Sequence, residues 1–151
     1  MNVLIIGSGA REHAFCSKIK ESKNINNLYI APGNAGTAKI ANNLDISVSD
    51  FKQIKEALLT KKINLLIVGP EIPLIDGLAD FIKRDPALNS ILVVGPSKTG
   101  AMLEGSKDFS KEFMFKHKIP TASYKTFDAS SLEEGLDYLE KIPSPYVLKA
   151  D

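Results

Sequence analysis

Three short runs, Val3–Ile6, Leu65–Val68 and Ile91–Val94, are apolar at every position, and they constrain the fold more than any other feature. A strand with one wet face alternates apolar and polar residues. A run that is apolar throughout predicts a parallel strand covered on both faces. Leu28–Ile30 and Leu44–Val48 are two further candidate strands. Helical patterns fall between them, over 12–20, 50–62 and 74–83. Asp50 and Gln53 make a capping-box pair, and Phe51, Ile54 and Leu58 share one helical face. Strands alternating with helices predict an α/β fold, a doubly wound, Rossmann-like parallel sheet with right-handed crossovers.

After Gly95-Pro96 the pattern changes. Ser97–Glu104 and Ser106–Lys118 read as helical pieces separated at Gly105, the second stopping before Pro120, whose ring cannot continue a helix. Ser130-Ser131-Leu132-Glu133 predicts a capping box opening a helix with Leu132, Leu136 and Leu139 on its apolar face. Pro143-Ser144-Pro145 then leads into an expected strand at Tyr146–Leu148. The expected organisation is a complete domain over 1–101 and an incomplete one over 102–151.

Composition narrows the function classes. Hydrophobic residues at 44% and charged residues at 25% describe a soluble globular chain. With 19 basic against 18 acidic residues and no polybasic block, neither nucleic acid nor an anionic membrane is the expected partner. The single cysteine, Cys16, excludes an internal disulfide and fits a reducing compartment. Gly7 and Gly9 interrupt the first apolar run too early for a signal peptide, and no stretch is long enough to span a bilayer. The expected location is cytoplasmic. No metal-ligand spacing occurs. Arg11 and His13 are accompanied by no Ser or Cys nucleophile, so surface or packing roles are expected for His13 and for His117. No catalytic residue or metal ligand is expected within the chain.

The first apolar run leads into "GSGAREHA", a strand, a tight turn and a helix start. A dinucleotide fingerprint needs a third glycine where Glu12 stands. It also needs an acid at the end of the second strand, where this chain has Ala31-Pro32-Gly33-Asn34. Both tests disfavour NAD and FAD. The Gly7–Gly9 amides suit a single phosphate or a polar sugar, although the turn alone fits a plain strand–helix joint equally well. Three more turns, "APGNAGT", "GPEIP" and "GPSK", follow strands and so fall at the sheet end where ligands bind. Ser97 is most simply a helix N-cap. Four polar turns on one rim favour a small anionic sugar, with Asn34 able to donate and accept and Glu71 able to hold hydroxyls or an amine.

Taken together, "GSGAREHA" (7–14), "PGNAGT" (32–37), "VGPEIPL" (68–74), "GPSK" (95–98), "LEGSKDFSKEFM" (103–114), "IPTA" (119–122) and "YVLKAD" (146–151) resemble the glycinamide ribonucleotide synthetase family. The resemblance covers essentially the whole chain in order. It implies an N-terminal doubly wound domain followed by the truncated start of an ATP-grasp module. It further implies an ATP- and Mg²⁺-dependent ligase that joins glycine to phosphoribosylamine through a glycyl phosphate in purine biosynthesis. On matching positions, Gly7, Ser8, Gly9, Asn34 and Glu71 would hold phosphoribosylamine, and Lys107 and Lys149 would reach ATP phosphates. The glycine-rich loop, adenine pocket and metal ligands would lie beyond Asp151, so this chain is expected to be inactive alone. A non-catalytic ribose-phosphate-binding module and a related ATP-grasp ligase with another substrate are the competing readings.

Overall fold

The computed structural model describes residues 1–150. Five parallel strands form one sheet: β1 (Asn2–Gly7), β2 (Asn27–Pro32), β3 (Asn42–Asn43), β4 (Leu65–Val68) and β5 (Leu92–Val94), in the order β3-β2-β1-β4-β5. Helices α1 (Ala10–Lys20), α2 (Phe51–Thr60), α3 (Ile72–Ile75), α4 (Leu78–Arg84) and α5 (Lys98–Gly105) connect and follow them. The doubly wound parallel sheet is therefore present. Leu4, Ile6, Leu66 and Val68 pack on one face against Ile54 and Leu58 of α2 and Leu78 and Ile82 of α4. Val3, Ile5, Leu28 and Ile30 pack on the other against Cys16 and Ile19 of α1. Burial on both faces is why β1 and β4 carry no polar alternation. The edge strand β5, expected to be covered on both faces, packs only Val93 on the core and leaves Leu92 and Val94 exposed.

Within residues 1–105 two elements differ from the sequence reading. Leu44–Val48 is not a strand; the third strand is Asn42–Asn43. Leu44 N–H still donates to Ile30 O at 2.8 Å, but Ile46 N–H turns back to Leu44 O, and the chain leaves the sheet. Leu44, Ile46 and Val48 alternate because they pack on the α2 side of the core, not because they are pleated. The helix expected over 74–83 is broken in two by Gly77, whose φ of 99° lies in the left-handed region open to glycine.

The chain divides into two units, Met1–Gly105 and a second from Ser106 onward. A division after residue 101 would cut α5, which packs on α3 closely enough that a Cβ at Gly105 would stand 2.7 Å from Ile75 Cδ1. The second unit holds α6 (Lys107–Lys116) and α7 (Leu132–Lys141). Ser106 caps α6 by accepting from Phe109 N–H. The capping box expected at Ser130–Glu133 lies slightly earlier: Asp128 accepts from Ser130 and Ser131 N–H, while Ser131 Oγ accepts from Asp128 N–H at 2.9 Å. Tyr146–Leu148 is not a strand, and the described residues of this unit include no other strand to pair with it. No apolar side chain described in this unit is buried.

Burial sets the expected energetics. Leu66→Ala, at a fully buried position of the central sheet, should cost about 2–5 kcal/mol in urea unfolding. Leu136→Ala, half exposed on α7, should stay within about 0.5 kcal/mol of the parent. Equal costs would contradict this division of the chain.

Candidate functional site

Register places four turns on one edge. Ile6 pairs with Val68, Gly7 with Pro32 and Ile67 with Val94, so the carboxyl ends of β1, β2, β4 and β5 lie together. The strand order reverses between β1 and β4, and a crevice opens at such a point. Gly7 (φ 130°) and Gly33 (φ 72°) turn the chain off β1 and β2 in conformations that side chains resist. Gly33 N–H donates to Gly7 O at 3.1 Å, and Gly69 N–H donates to Ile6 O at 3.0 Å. The turns after β2 and β4 are thus both bonded to the end of β1.

Asn34 fastens two of these turns together. Its Nδ2 donates to Ser8 O at 2.8 Å, across the rim. Its Oδ1 accepts from Gly36 N–H (2.8 Å) and Thr37 N–H (3.0 Å). Thr37, fully buried, accepts from Asn34 N–H at 2.8 Å, and Asn43 Nδ2 donates to Asn34 O at 2.9 Å. Both lone-pair directions of Oδ1 are therefore engaged inside the protein, leaving one Nδ2 hydrogen for a ligand. His13 packs against this loop, where a Cβ at Gly36 would stand 2.4 Å from its Cε1.

Glu12 occupies the middle of the rim. It is 5% exposed, and its Oε2 accepts from Gly9 N–H at 2.7 Å, closing the first turn of α1. A Cβ would meet its side chain at 2.5 Å from Gly7, 2.9 Å from Gly9 and 2.2 Å from Gly69. The charge also lies beside Cys16, whose thiol is pushed up to about 11, by burial first and by Glu12 second. That thiol stays protonated at neutral pH and is no nucleophile.

The remaining site residues separate into two groups. Glu71, half-buried, stands at the head of α3 after β4, and its carboxylate has no hydrogen-bond partner among the described residues. Ser8 and Gly9 are exposed. Ser97 Oγ accepts from Gly100 N–H at 3.3 Å, the cap expected of it. Gly7, Ser8, Gly9, Asn34 and Glu71 therefore share one rim of the first unit. Lys107, the first residue of α6, and Lys149, in the extended stretch after α7, belong to the second unit and are both exposed. That unit has a cavity of about 650 Å³ lined by residues including Asp108, Glu112, Tyr124 and Lys125.

Residues 1–104 match the N domain of phosphoribosylglycinamide synthetase, and residues 105–151 match its ATP-grasp (A) domain. The chain belongs to the phosphoribosylglycinamide synthetase family. The phosphoribosylamine–glycine ligase of Caldanaerobacter subterraneus subsp. tengcongensis is 43% identical over 151 residues, all of this chain and 35% of that relative. The ligase of Escherichia coli K12 is 42% identical over 153 residues, again all of this chain and 34% of the relative. The chain thus spans about a third of the length of its curated synthetase relatives. The crystal structure of phosphoribosylamine–glycine ligase from Thermotoga maritima superposes with a TM-score of 0.62 at 26% identity, covering 91% of this chain and 30% of that one. N5-carboxyaminoimidazole ribonucleotide synthetase from the same organism shares the fold, with a TM-score of 0.63 at 19% identity over 91% of this chain and 36% of its own.

Glu12, Gly69, Thr37 and Asn43 were not singled out as site-builders by sequence reasoning. Two signals existed: Gly9-x-x-Glu12 is half a capping box, and Asn34-x-Gly36 has the two-residue spacing of an Asx turn. Asn34→Ala should lower stability by about 1.5–4.5 kcal/mol, since three hydrogen bonds at roughly 0.5–1.5 kcal/mol each are lost. Faster amide exchange at Gly36 and Thr37 should accompany it. An unchanged melting temperature would mean the Ser8–Asn34 link does not hold the rim.

Proposed function

We propose that this chain supplies the phosphoribosylamine-binding domain and the opening of the ATP-grasp module of a cytoplasmic phosphoribosylamine–glycine ligase. One observation carries the reading: two domains of one synthetase match consecutively, in order, along the whole chain. The geometry is compatible with the substrate. The first N–H groups of α1, beyond the capped Gly9, have no intrahelical acceptor and point at the rim, where a 5-phosphate fits. Glu71 offers a free carboxylate to ribose hydroxyls or the amine, and Ser8 an exposed hydroxyl.

The reaction proposed transfers the γ-phosphoryl group of ATP to the glycine carboxylate, giving glycyl phosphate and ADP. The amine of phosphoribosylamine then attacks the acyl carbon and expels phosphate, forming glycinamide ribonucleotide. A carboxylate oxygen is a poor leaving group until phosphorylated, which is why ATP is required. Lys107 and Lys149 would meet the ATP phosphates. Mg²⁺ is implied by the family, but no group of three His, Cys, Asp or Glu able to hold a metal exists among the described residues. No described helix is long and apolar enough to cross a membrane.

The test is to titrate the chain with glycinamide ribonucleotide, the stable product, without ATP, while following backbone amide resonances. Shifts should centre on Gly7–Gly9, Asn34 and Glu71, and Glu71→Ala should weaken binding about tenfold or more, the value of a hydrogen bond to a charged group. Shifts confined to other surfaces, or an unaffected Glu71→Ala variant, would refute the site. Mixed with ATP, Mg²⁺, glycine and fresh phosphoribosylamine, the chain should release no amine-dependent phosphate. Turnover near about 10 s⁻¹, the median for enzymes, would show that a full catalytic set is present.

A further inference from the structure

We propose that Glu12 is the specificity-determining residue of this rim: its carboxylate fills the place at the β1–β4 crevice that a bound pyrophosphate would take, so the rim accepts a ribose monophosphate and refuses a diphosphate. The inference rests on the ribose-phosphate reading given above and deepens it. In a dinucleotide-binding turn the first glycine makes the tight turn, the second leaves bare backbone against which the pyrophosphate backs, and the third lets the helix pack closely on the strand. Here Gly7, Gly9 and Gly69 bound a hollow, and a protein side chain lies in it. Every one of the three glycines faces Glu12, with side-chain atoms between 2.2 and 2.9 Å from where a Cβ would stand. A Cβ at any of the three would overlap this carboxylate.

Three consequences favour a monophosphate. The volume beside bare backbone is filled. The Gly9 N–H, which a diphosphate would need, already donates to Oε2 at 2.7 Å. The carboxylate is buried, so its repulsion of a second phosphate charge is weakly screened. Left over are the outward N–H groups at the start of α1 and the exposed Arg11, enough for one phosphate.

The test compares ribose 5-phosphate with ADP-ribose, which adds a diphosphate to the same sugar, on the 151-residue chain. Binding is read at the Gly7, Gly9 and Gly69 amide resonances. In the parent chain ADP-ribose should leave these resonances unmoved, and in Glu12→Gly it should bind there with affinity raised about tenfold or more. Glu12→Gln, which fills the same volume and can still accept from Gly9 N–H, should keep ADP-ribose out. A purely structural role for Glu12 would lower the melting temperature and weaken every ligand, with no gain. Where Glu12→Gly does not fold, Glu12→Ala, with its higher helix propensity, and the shorter Glu12→Asp carry the same reading. Binding of ADP-ribose at the rim of the parent chain overturns the proposal, as does the absence of any gain in the folded small variants. Failure of ribose 5-phosphate to move the rim resonances in any variant would remove the ribose-phosphate reading, while the ADP-ribose comparison would still decide the role of Glu12.

Discussion

Strand β1 is the member on which the rest depends. It is hydrogen-bonded on both sides, to β2 and β4, and Val3 through Gly7 are all buried. Such a strand has no freedom to shift register, because a one-residue slip would exchange the residues facing α1 with those facing α2 and α4. Its carboxyl end is consequently a fixed point, and the turns after β2 and β4 are each bonded back to it through Gly33 and Gly69. Rigidity at the rim is inherited from burial in the sheet.

On that fixed point the protein places a buried carboxylate, which needs a physical account. Burying an unpaired carboxylate is costly. Glu12 avoids most of that penalty by accepting a charge-assisted bond from Gly9 N–H and by standing in the first turn of α1, where the helix dipole favours negative charge. No buried side-chain nitrogen or oxygen among the described residues lacks a partner. The three surrounding glycines then follow from packing: with the carboxylate fixed, any Cβ at Gly7, Gly9 or Gly69 overlaps it.

Most of the fold was legible because its signal is periodic. Continuous apolar runs identified β1, β4 and β5, and Asp50 does cap α2 by accepting from Gln53 N–H. Misreadings arose where the period had another cause. Leu44, Ile46 and Val48 alternate in burial against a helix rather than along a strand. A left-handed glycine inside an apolar pattern is invisible to periodicity, so the α3–α4 break went unread. The rim's address was legible from topology, since every turn after a parallel strand falls on one edge. Its internal wiring was not. Whether Asn34 faces a ligand or Ser8 O depends on the spacing of β1 and β2, which no local pattern encodes.

The two units also differ in how ready they are to bind charge. The rim groups of the first unit are held by backbone and side-chain bonds over a sheet with two buried faces, so a ligand there meets donors whose positions are already fixed. In the second unit, Lys107 and Lys149 are exposed and no described apolar side chain is buried. An exposed ammonium attracts a phosphate through water, where two unit charges at 4 Å are worth only about 1 kcal/mol. The same pair in a site that excludes water would interact several times more strongly. Preorganisation of the rim is thus a property the first unit can carry by itself, because its sheet supplies it. Lys107 and Lys149 stand in no such low-dielectric enclosure among the described residues of the second unit.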